Sequence, residues 1–262
     1  MNETPFIQVP AIYFAIPFFL TLVLFNWLGF RYKKNQIKKY PDLEPAGLGP
    51  TEGALIGLMA LLLSFTFGMS ASKFDTRRQL IIEEANDIGT AILRCDLYPD
   101  SVRKVLRADF KNYVESRIAY YDAGDDQQKT QAALAAADSI SAQCWNQVSA
   151  FSRTPNSLVM TSQMIPALNA MIDIVTTRES SRTNVVPRLI IDVLVLLTVV
   201  SSFLAGYGNK GHERNPILVL AFTLMTTLAL YLVMELDRPR QGLINLKPAE
   251  QMIVNLRSNF AG

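Results

Sequence analysis

Charged residues follow directly on an apolar run in LLLSFTFGMSASKFDTRRQL, residues 61–80. The stretch contains no proline and no helix stop, so it predicts one helix that continues from a bilayer into water. When several such helices surround an axis, small and aromatic side chains line and narrow an ion path, and charges collect at its mouth. The candidate residues are Ser64, Phe67, Gly68, Ala71 and Phe74 along the path and Arg77, Arg78 and Glu84 at its mouth.

The sequence contains few residues or motifs that are typical of enzyme active sites. His212 is the only histidine, and Cys95 and Cys144 are the only cysteines, which is too few for a structural zinc site. The chain also has no Gly-rich phosphate loop, nucleophile elbow or metalloprotease helix motif. The charge is nearly balanced, and no basic face suggests nucleic-acid binding. We therefore expect no catalytic residues, no metal and no cofactor, and a membrane enzyme is the least favoured class.

Four apolar blocks are long enough to cross a bilayer as helices. A hydrocarbon core about 30 Å thick needs roughly 20 apolar helical residues, because backbone amides in lipid must be satisfied within the segment. The blocks are Ala11 to Phe30, Gly53 to Ala71, Pro187 to Tyr207 and Pro216 to Met234. The alternating pattern of a membrane β-barrel is absent from the sequence. The sequence therefore predicts a membrane protein with two transmembrane hairpins.

The region between the second and third spans reads as helices separated by turn signals. Breaks are expected at PDS (99–101), DAGDD (122–126) and SRTPNS (152–157), and no strand period is evident. The predicted fold class is all-α, with a helical soluble domain inserted between the second and third spans. The predicted domains are a first hairpin (1–71), the soluble domain (72–186), a second hairpin (187–236) and a C-terminal tail (237–262).

Small and apolar residues recur at alternating steps of four and three along the second span and its continuation to about Leu97. This seam consists of Gly53, Gly57, Ala60, Ser64, Phe67, Ala71, Phe74, Arg78, Ile81, Ala85, Ile88, Ile92 and Cys95. Small residues allow helices in lipid to approach closely. Two interpretations stay open: the seam packs within its own chain, or it faces sister copies around a common axis.

Charged groups also occur in or beside the last two spans. Asp192 lies inside the third span, where a carboxylate costs roughly 2.5 to 3.5 kcal/mol unless it is paired or faces water. It is either part of an ion or proton pathway or a local partner of Arg188. Glu235, Asp237 and Arg238 cluster where the fourth span ends, either as interfacial anchors or as ion-pair partners for Arg77 or Arg78.

The second span and its continuation resemble those of bestrophins. The resemblance rests on Leu62-Leu63-Ser64-Phe65, then Phe74, Arg78 and Asn86 at steps of nine, four and eight. Most of the chain is similar to the bacterial bestrophin-like family of uncharacterised membrane proteins, through FDTRRQLIIEEANDIGTA and again through LDRPRQGLI (236–244). Bestrophins are pentameric ion channels, so the resemblance implies a homo-oligomeric channel. The bestrophin Arg-Thr-Asn that follows the first Phe is here Thr66-Phe67-Gly68, so ion selectivity is not carried over.

The sequence thus favours an oligomeric channel, a pentamer by resemblance, that passes small ions through a bacterial inner membrane. The alternative is a non-conducting membrane scaffold or sensor whose soluble helices bind a partner.

Orientation is argued from charge. Five basic residues follow the first span and none precede it, which places that loop in the cytoplasm and the soluble domain in the periplasm. The bestrophin resemblance implies the opposite placement. An exported domain would allow Cys95 and Cys144 to form a disulfide, whereas a cytoplasmic one would leave two buried thiols.

Overall fold

A computed structural model describes residues 11–40, 49–124, 126–208, 216–238 and 243–260. The described part of the chain is helical and contains no strand, as the sequence predicts. Its α-helices are α1 (Ala11–Lys39), α2 (Gly49–Arg94), α3 (Asp100–Asp122), α4 (Gln127–Phe151), α5 (Leu158–Thr183), α6 (Arg188–Tyr207), α7 (Pro216–Asp237) and α8 (Lys247–Asn255). Short 3₁₀ segments follow α2 (Cys95–Leu97) and α8 (Leu256–Phe260).

Helix α2 is a single helix of 46 residues, as predicted from the unbroken run between the second span and the charged stretch. Other helix ends differ from the sequence prediction. Helix α1 continues through its basic segment to Lys39, and α5 continues through Pro166 to Thr183. Helix α8 was not predicted at all, because its nine residues are too few to show a clear period.

The chain divides into two compact units. The first unit comprises Met1–Phe74 and Val185–Ile244, and the second comprises Asp75–Asn184 and Asn245–Gly262. Among the residues that the structure describes, four helical stretches are long and apolar enough to cross a membrane, namely Ala11–Lys39, Gly53–Leu97, Leu158–Tyr207 and Pro216–Asp237.

In the first unit, α1 packs against both α6 and α7. Its apolar core contains Phe18 and Leu22 from α1, Leu194 from α6 and Leu230 from α7, all at most 5% exposed. Leu62 and Leu63 of α2 pack against this cluster. The side of α2 that carries these leucines is therefore committed to its own chain.

Two glycines bring α1 and α6 into backbone contact. A Cβ atom on Gly29 would lie 2.0 Å from the carbonyl oxygen of Phe203, and one on Gly206 would lie 2.0 Å from that of Asn26. Only glycine fits such an approach, which is how helices associate closely in lipid. Two hydrogen bonds accompany it: Asn26 Nδ2 donates to Ser202 O at 3.1 Å, and Ser202 Oγ donates to Leu22 O at 2.7 Å.

In the second unit, α3 packs on α4, α4 on α5, and α8 on α3. The buried side chains of α3 include Leu106, Phe110, Tyr113 and Val114, at the three-and-four spacing of an amphipathic helix. Helix α4 begins at the N-cap Asp126, whose carboxylate accepts from the backbone amides of Gln128 and Lys129. These helices present buried faces to one another, so the second unit has a core of its own.

Candidate functional site on helix α2

The predicted seam is exposed in the first unit. Gly53, Gly57, Ala60 and Ser64 are exposed in the chain, as is Phe67 at 43%. A Cβ atom added to Gly53, Gly57 or Gly68 would meet no atom of the described residues within 4 Å. Here the small residues do not pack within their own chain, so this part of α2 is available to other molecules.

The same seam is buried in the second unit. Ile81, Ile88, Ile92 and Cys95 are each 0% exposed, and Ala85 is 4% exposed. A strict 3.5-residue repeat drifts about 20° per heptad on a straight helix, which is about 80° between Gly53 and Ile81. The predicted seam therefore does not follow one face of α2. Packing within the chain is confirmed for the part from Ile81 to Cys95. That the exposed part faces sister copies around a common axis stays a prediction.

A true 3.6-residue period picks out a different line, which we call the outward face of α2. At 100° per residue, its members lie within about 40° of one line. They are Leu61, Phe65, Gly68, Ser72, Asp75, Gln79, Glu83, Asn86 and Thr90, and all are exposed in the chain. By the same measure, Phe67 and Phe74 lie about 120° and 140° from this line. Phe65, which is 64% exposed, is the aromatic residue that belongs to the outward face.

The remaining predicted path residues lie beside the outward face. Ser64 and Ala71 are about 60° and 80° from its centre line. Ser64 is exposed, whereas Ala71 and Phe74 are half-buried. Using the 3.6 period instead of the 3.5 period would have found Leu61 and Phe65 from the sequence.

The two arginines predicted at the mouth have different environments. Arg77 is 7% exposed, and it donates from Nε to Ser181 O at 3.2 Å and from Nη2 to Asn184 O at 3.0 Å, at the end of α5. Arg78 is exposed and lies 3.9 Å from the carboxylate of Asp75, one turn earlier. Arg78 is thus a surface charge next to an acid, whereas Arg77 satisfies the last carbonyls of a neighbouring helix.

Glu84 is fully buried, at 0% exposure, and does not present its charge at a surface of the chain. Its Oε1 accepts from Arg117 Nε of α3 at 2.5 Å. Its Oε2 accepts from Tyr121 Oη at 2.9 Å and from Arg178 Nη1 of α5. We call these four side chains the Glu84 cluster. One carboxylate joins three helices of the second unit.

The aromatic rings of α3 complete this cluster. The Arg117 guanidinium lies 4.6 Å from the centre of the Tyr120 ring, and that of Arg178 lies 4.7 Å from the Tyr121 ring. Such contacts stabilise buried guanidinium groups. Burial lowers the pKa of Arg117, but the neighbouring Glu84 carboxylate outweighs this effect, so the pKa lies above its ordinary value. Arg117 therefore stays charged.

Sequence reasoning missed both arginine partners of Glu84, although the buried faces of α3 and α5 carry a signal for each. Arg117 continues the buried series Leu106, Phe110, Tyr113 at the same four-and-three steps. A charged residue on a buried helix face needs an opposite charge. Arg178 continues the buried series Ala167, Met171, Ile174 of α5 in the same way, and its side chain is 9% exposed.

Asp192 lies on an exposed face of α6. Its carboxylate is 3.9 Å from Arg188 Nε, and both side chains are more than 60% exposed. Leu189 and Leu196, on the same side of the helix, are 73% and 61% exposed. The local pair with Arg188 is present, at a distance typical of a weak contact, and a role for Asp192 in an ion pathway stays a prediction.

The acidic residues at the end of α7 bind backbone amides. Asp237 Oδ1 accepts from Val186 N at 3.0 Å, and Glu235 Oε2 accepts from Ile244 N at 3.4 Å. Both carboxylates are buried, and Arg238 is half-buried. They tie the segment before α6 and the segment after α7 to this helix end. An ion pair between this cluster and Arg77 or Arg78 stays a prediction.

Among the described residues, no group of three or more His, Cys, Asp or Glu side chains is placed to hold a metal ion. Cys95 and Cys144 are both free and buried. Burial raises the pKa of the Cys144 thiol to about 12. The thiol is therefore protonated and unreactive at neutral pH.

A family model for the bestrophin-like domain matches residues 16–251, which is most of the chain. The chain belongs to the bestrophin-like family. This agrees with the four apolar helical stretches, and the protein is a membrane protein. No curated protein matches it by sequence.

Solved structures share the fold of this bestrophin-like protein. A crystal structure of a bacterial bestrophin homolog from Klebsiella pneumoniae, phased with zinc, matches with a TM-score of 0.72 at 16% identity, over 93% of this chain and 96% of that one. A single-substitution variant of a Klebsiella pneumoniae homolog matches with a TM-score of 0.75 at 15% identity, over 96% and 97%. At this identity the likeness concerns the fold.

Proposed function

We propose that this bestrophin-like protein is a passive ion channel, in which several copies surround an axis and the outward face of α2 lines the path. A ring of five is the assembly that the resemblance to bestrophins implies. The exposed outward face of α2 carries the proposal. Gly68 and Ser72 of this face, and the polar residues from Asp75 on, are poorly suited to lipid and well suited to a water-filled path or to close contact with a sister helix.

The narrowing of the path is assigned to Leu61 and Phe65. They lie on the outward face within the first unit and are 52% and 64% exposed in the chain. Apolar rings of this kind gate channels by excluding water. Ser64 and Gly68 lie next to them and give the path its smaller side chains, while Phe67 and Phe74 lie further round the helix.

The conducted ions are proposed to be cations. Beyond Phe74, the outward face carries the acids Asp75 and Glu83, and no base lies within about 40° of its line. Arg78 is offset by about 100° and sits beside Asp75. Rings of carboxylates at a pore favour cations.

Conductance of the purified protein in planar bilayers tests the channel. Phe65→Ala is expected to raise conductance, because a smaller ring relieves an apolar narrowing. Phe67→Ala, on the side of the helix, is the matched control and should change conductance less. If the larger effect belongs to Phe67, the 3.6-residue assignment of the face is wrong.

Reversal potentials in asymmetric salt test the ion class. Glu83→Gln is expected to reduce the preference for cations, whereas Asp138→Asn, an exposed acid on α4, should leave it unchanged. A wild-type preference for anions would contradict the assignment.

Particle symmetry of the protein in detergent tests the assembly. A closed ring with an axial opening supports the channel. A ring without conductance would instead favour the second candidate, a membrane scaffold or sensor whose second unit binds a partner, while a monomer or dimer would remove the axial path.

The location is proposed to be the bacterial inner membrane with the second unit in the periplasm, following the basic residues after the first span. A cysteine introduced at the exposed Asp138 of a cysteine-free variant reports the side. Labelling in intact spheroplasts by a membrane-impermeant maleimide supports the periplasmic placement, and labelling only after lysis places the second unit in the cytoplasm.

A further inference from the structure

The second unit holds α2 at two polar points that face away from the outward face. The first is Arg77, whose guanidinium donates to Ser181 O and Asn184 O. The second is Glu84, seven residues and about two turns later. Arg178, which pairs with Glu84, also belongs to α5. The last turns of α5 thus hold α2 at two positions on the same side.

Between these points and in the turn after Glu84, the buried contacts of α2 are aliphatic. Ile81, Ala85 and Ile88 are buried in the second unit. Aliphatic contacts tolerate repacking, because hydrophobic burial has no directional preference. Hydrogen bonds to buried charges do have one, and leaving such a group unpaired is costly. The polar points, and not the aliphatic contacts, determine how far α2 is turned about its own axis.

Of the two polar points, Glu84 depends more strongly on the position of its partners than Arg77 does. Two guanidinium groups share its carboxylate, and Arg117 and Glu84 are 1% and 0% exposed. Arg117 Nη1 is buried and has no hydrogen-bond partner among the described residues. Loss of the Glu84 charge would leave two buried cations without the carboxylate that neutralises them. A rotation of α2 that separates these groups carries the same penalty.

We propose that Glu84 is a positioning residue for the path: its shared ion pair with Arg117 and Arg178 sets the rotation of α2 and keeps Glu83 and Asn86 on the outward face. This inference rests on the proposed channel function. Glu84 does not touch the conducted ion. It acts through α2, by holding the opposite side of the helix in the core of the second unit.

Cysteine reporters measure the rotation directly. In a Cys95→Ala, Cys144→Ala background, one reporter is placed at the exposed Asn86 and another at the buried Ile88. Rates of reaction with a hydrophilic methanethiosulfonate are measured on the full-length purified protein. With Glu84 intact, the Asn86→Cys reporter should react much faster than the Ile88→Cys reporter.

Glu84→Gln is expected to slow the first reaction and speed the second, so that the ratio of rates falls about tenfold or more, as loss of hydrogen bonds to a charged group would cause. Asp173→Asn, an exposed acid on α5, is the matched control and should leave the ratio unchanged. Glu84→Asp, which retains the charge, should restore part of the ratio. Tyr121→Phe removes a single donor to Glu84 and should shift the ratio in the same direction by a smaller factor.

A third reporter, at the buried Val148 of α4, separates rotation from general loosening. If its reaction also accelerates in Glu84→Gln, the residue merely stabilises the second unit and the proposal is overturned. An unchanged ratio in a folded Glu84→Gln or Tyr121→Phe protein overturns it as well.

Single-channel conductance then connects rotation to the path. Glu84→Gln should lower conductance together with the labelling ratio, and a shifted ratio with normal conductance would overturn the link. If the wild-type protein does not conduct, the proposed function fails. The labelling ratio still shows whether Glu84 sets the rotation of α2.

Discussion

The part of α2 in the first unit and the part in the second unit bury different kinds of side chain against their own chain. In the first unit, a Cβ atom on Gly53, Gly57 or Gly68 of α2 would meet no described residue within 4 Å, and contacts with the apolar core are made by leucines on another side. In the second unit, α2 buries isoleucines and one glutamate against its own chain. A helix in lipid gains little from burying leucine against leucine, since the acyl chains are equally apolar. A helix in water gains most of its stability from such burial.

The two units also differ in how their helices are held together. Close backbone approach at Gly29 and Gly206 joins α1 to α6 in the first unit. The Glu84 cluster and aliphatic side chains join α2, α3 and α5 in the second. Substitutions that remove a charge or add volume should therefore change the stability of the two units differently. Each variant below is paired with a control that measures this difference.

The largest loss is expected when the Glu84 cluster loses a partner. Arg117→Met should destabilise the protein by about 3 to 5 kcal/mol, because it leaves the buried carboxylate incompletely paired. Arg103→Met is the control, since Arg103 pairs with Asp100 at the surface and should cost under about 1 kcal/mol. Thermal unfolding followed by intrinsic fluorescence gives both values. Equal losses would show that the cluster is not a buried ion pair.

The next largest effect is expected at the glycine crossing of the first unit. Gly206→Ala should cost about 2 to 3 kcal/mol, because its Cβ would collide with the backbone of Asn26. Gly57→Ala adds the same atom where nothing lies within 4 Å, and its cost should stay within about 0.5 kcal/mol. Unfolding of the two variants in the same detergent makes the comparison. A tolerated Gly206→Ala would refute the close approach.

A smaller effect is expected for the polar contact at the same crossing. Asn26→Leu removes the hydrogen bond to Ser202 O and should cost about 1 kcal/mol, the usual value for polar contacts between membrane helices. Asn35→Leu, at an exposed site on α1, serves as the control in the same unfolding assay. A loss as large as that of Gly206→Ala would mean that the hydrogen bond, and not the glycine, holds the crossing.

The smallest effect is expected at the surface of the second unit, and it depends on pH. Hydrogen bonds from Arg257 lower the pKa of Glu115 below its ordinary value of 4.5. Because the folded-state pKa is the lower one, this stabilisation is present above pH 4.5 and is lost as pH falls through the folded-state value. Glu115→Gln should therefore narrow the difference in melting temperature between pH 6 and pH 3, and an unchanged difference would show that the pair contributes nothing.

The sequence predicts the helical fold class, the four apolar stretches and the continuity of α2, because each depends on composition or on missing helix breakers. The predicted seam runs from an exposed side of α2 to a buried one, since a 3.5-residue repeat and a 3.6-residue helix separate over several heptads. Phe65 was therefore missed on the outward face, although it lies inside the apolar run.

The Glu84 cluster could not be predicted from the sequence for another reason. Glu84 lies among Glu83 and Asp87, and nothing local marks which of three acids is buried. Its partners come from α3 and α5, 33 and 94 residues away. Only the tertiary packing of the second unit brings the three together, and the charged stretch therefore resembles a solvated helix face until that packing is known.

The glycine contact between α1 and α6 also bears on motion. With backbone atoms of Phe203 and Asn26 filling the places where side chains would begin, neither helix can slide or roll against the other without a steric clash. The pair forms a fixed frame inside the first unit. In the proposed channel, a movement that opens or closes the path would leave this pair undisturbed and involve the other helices.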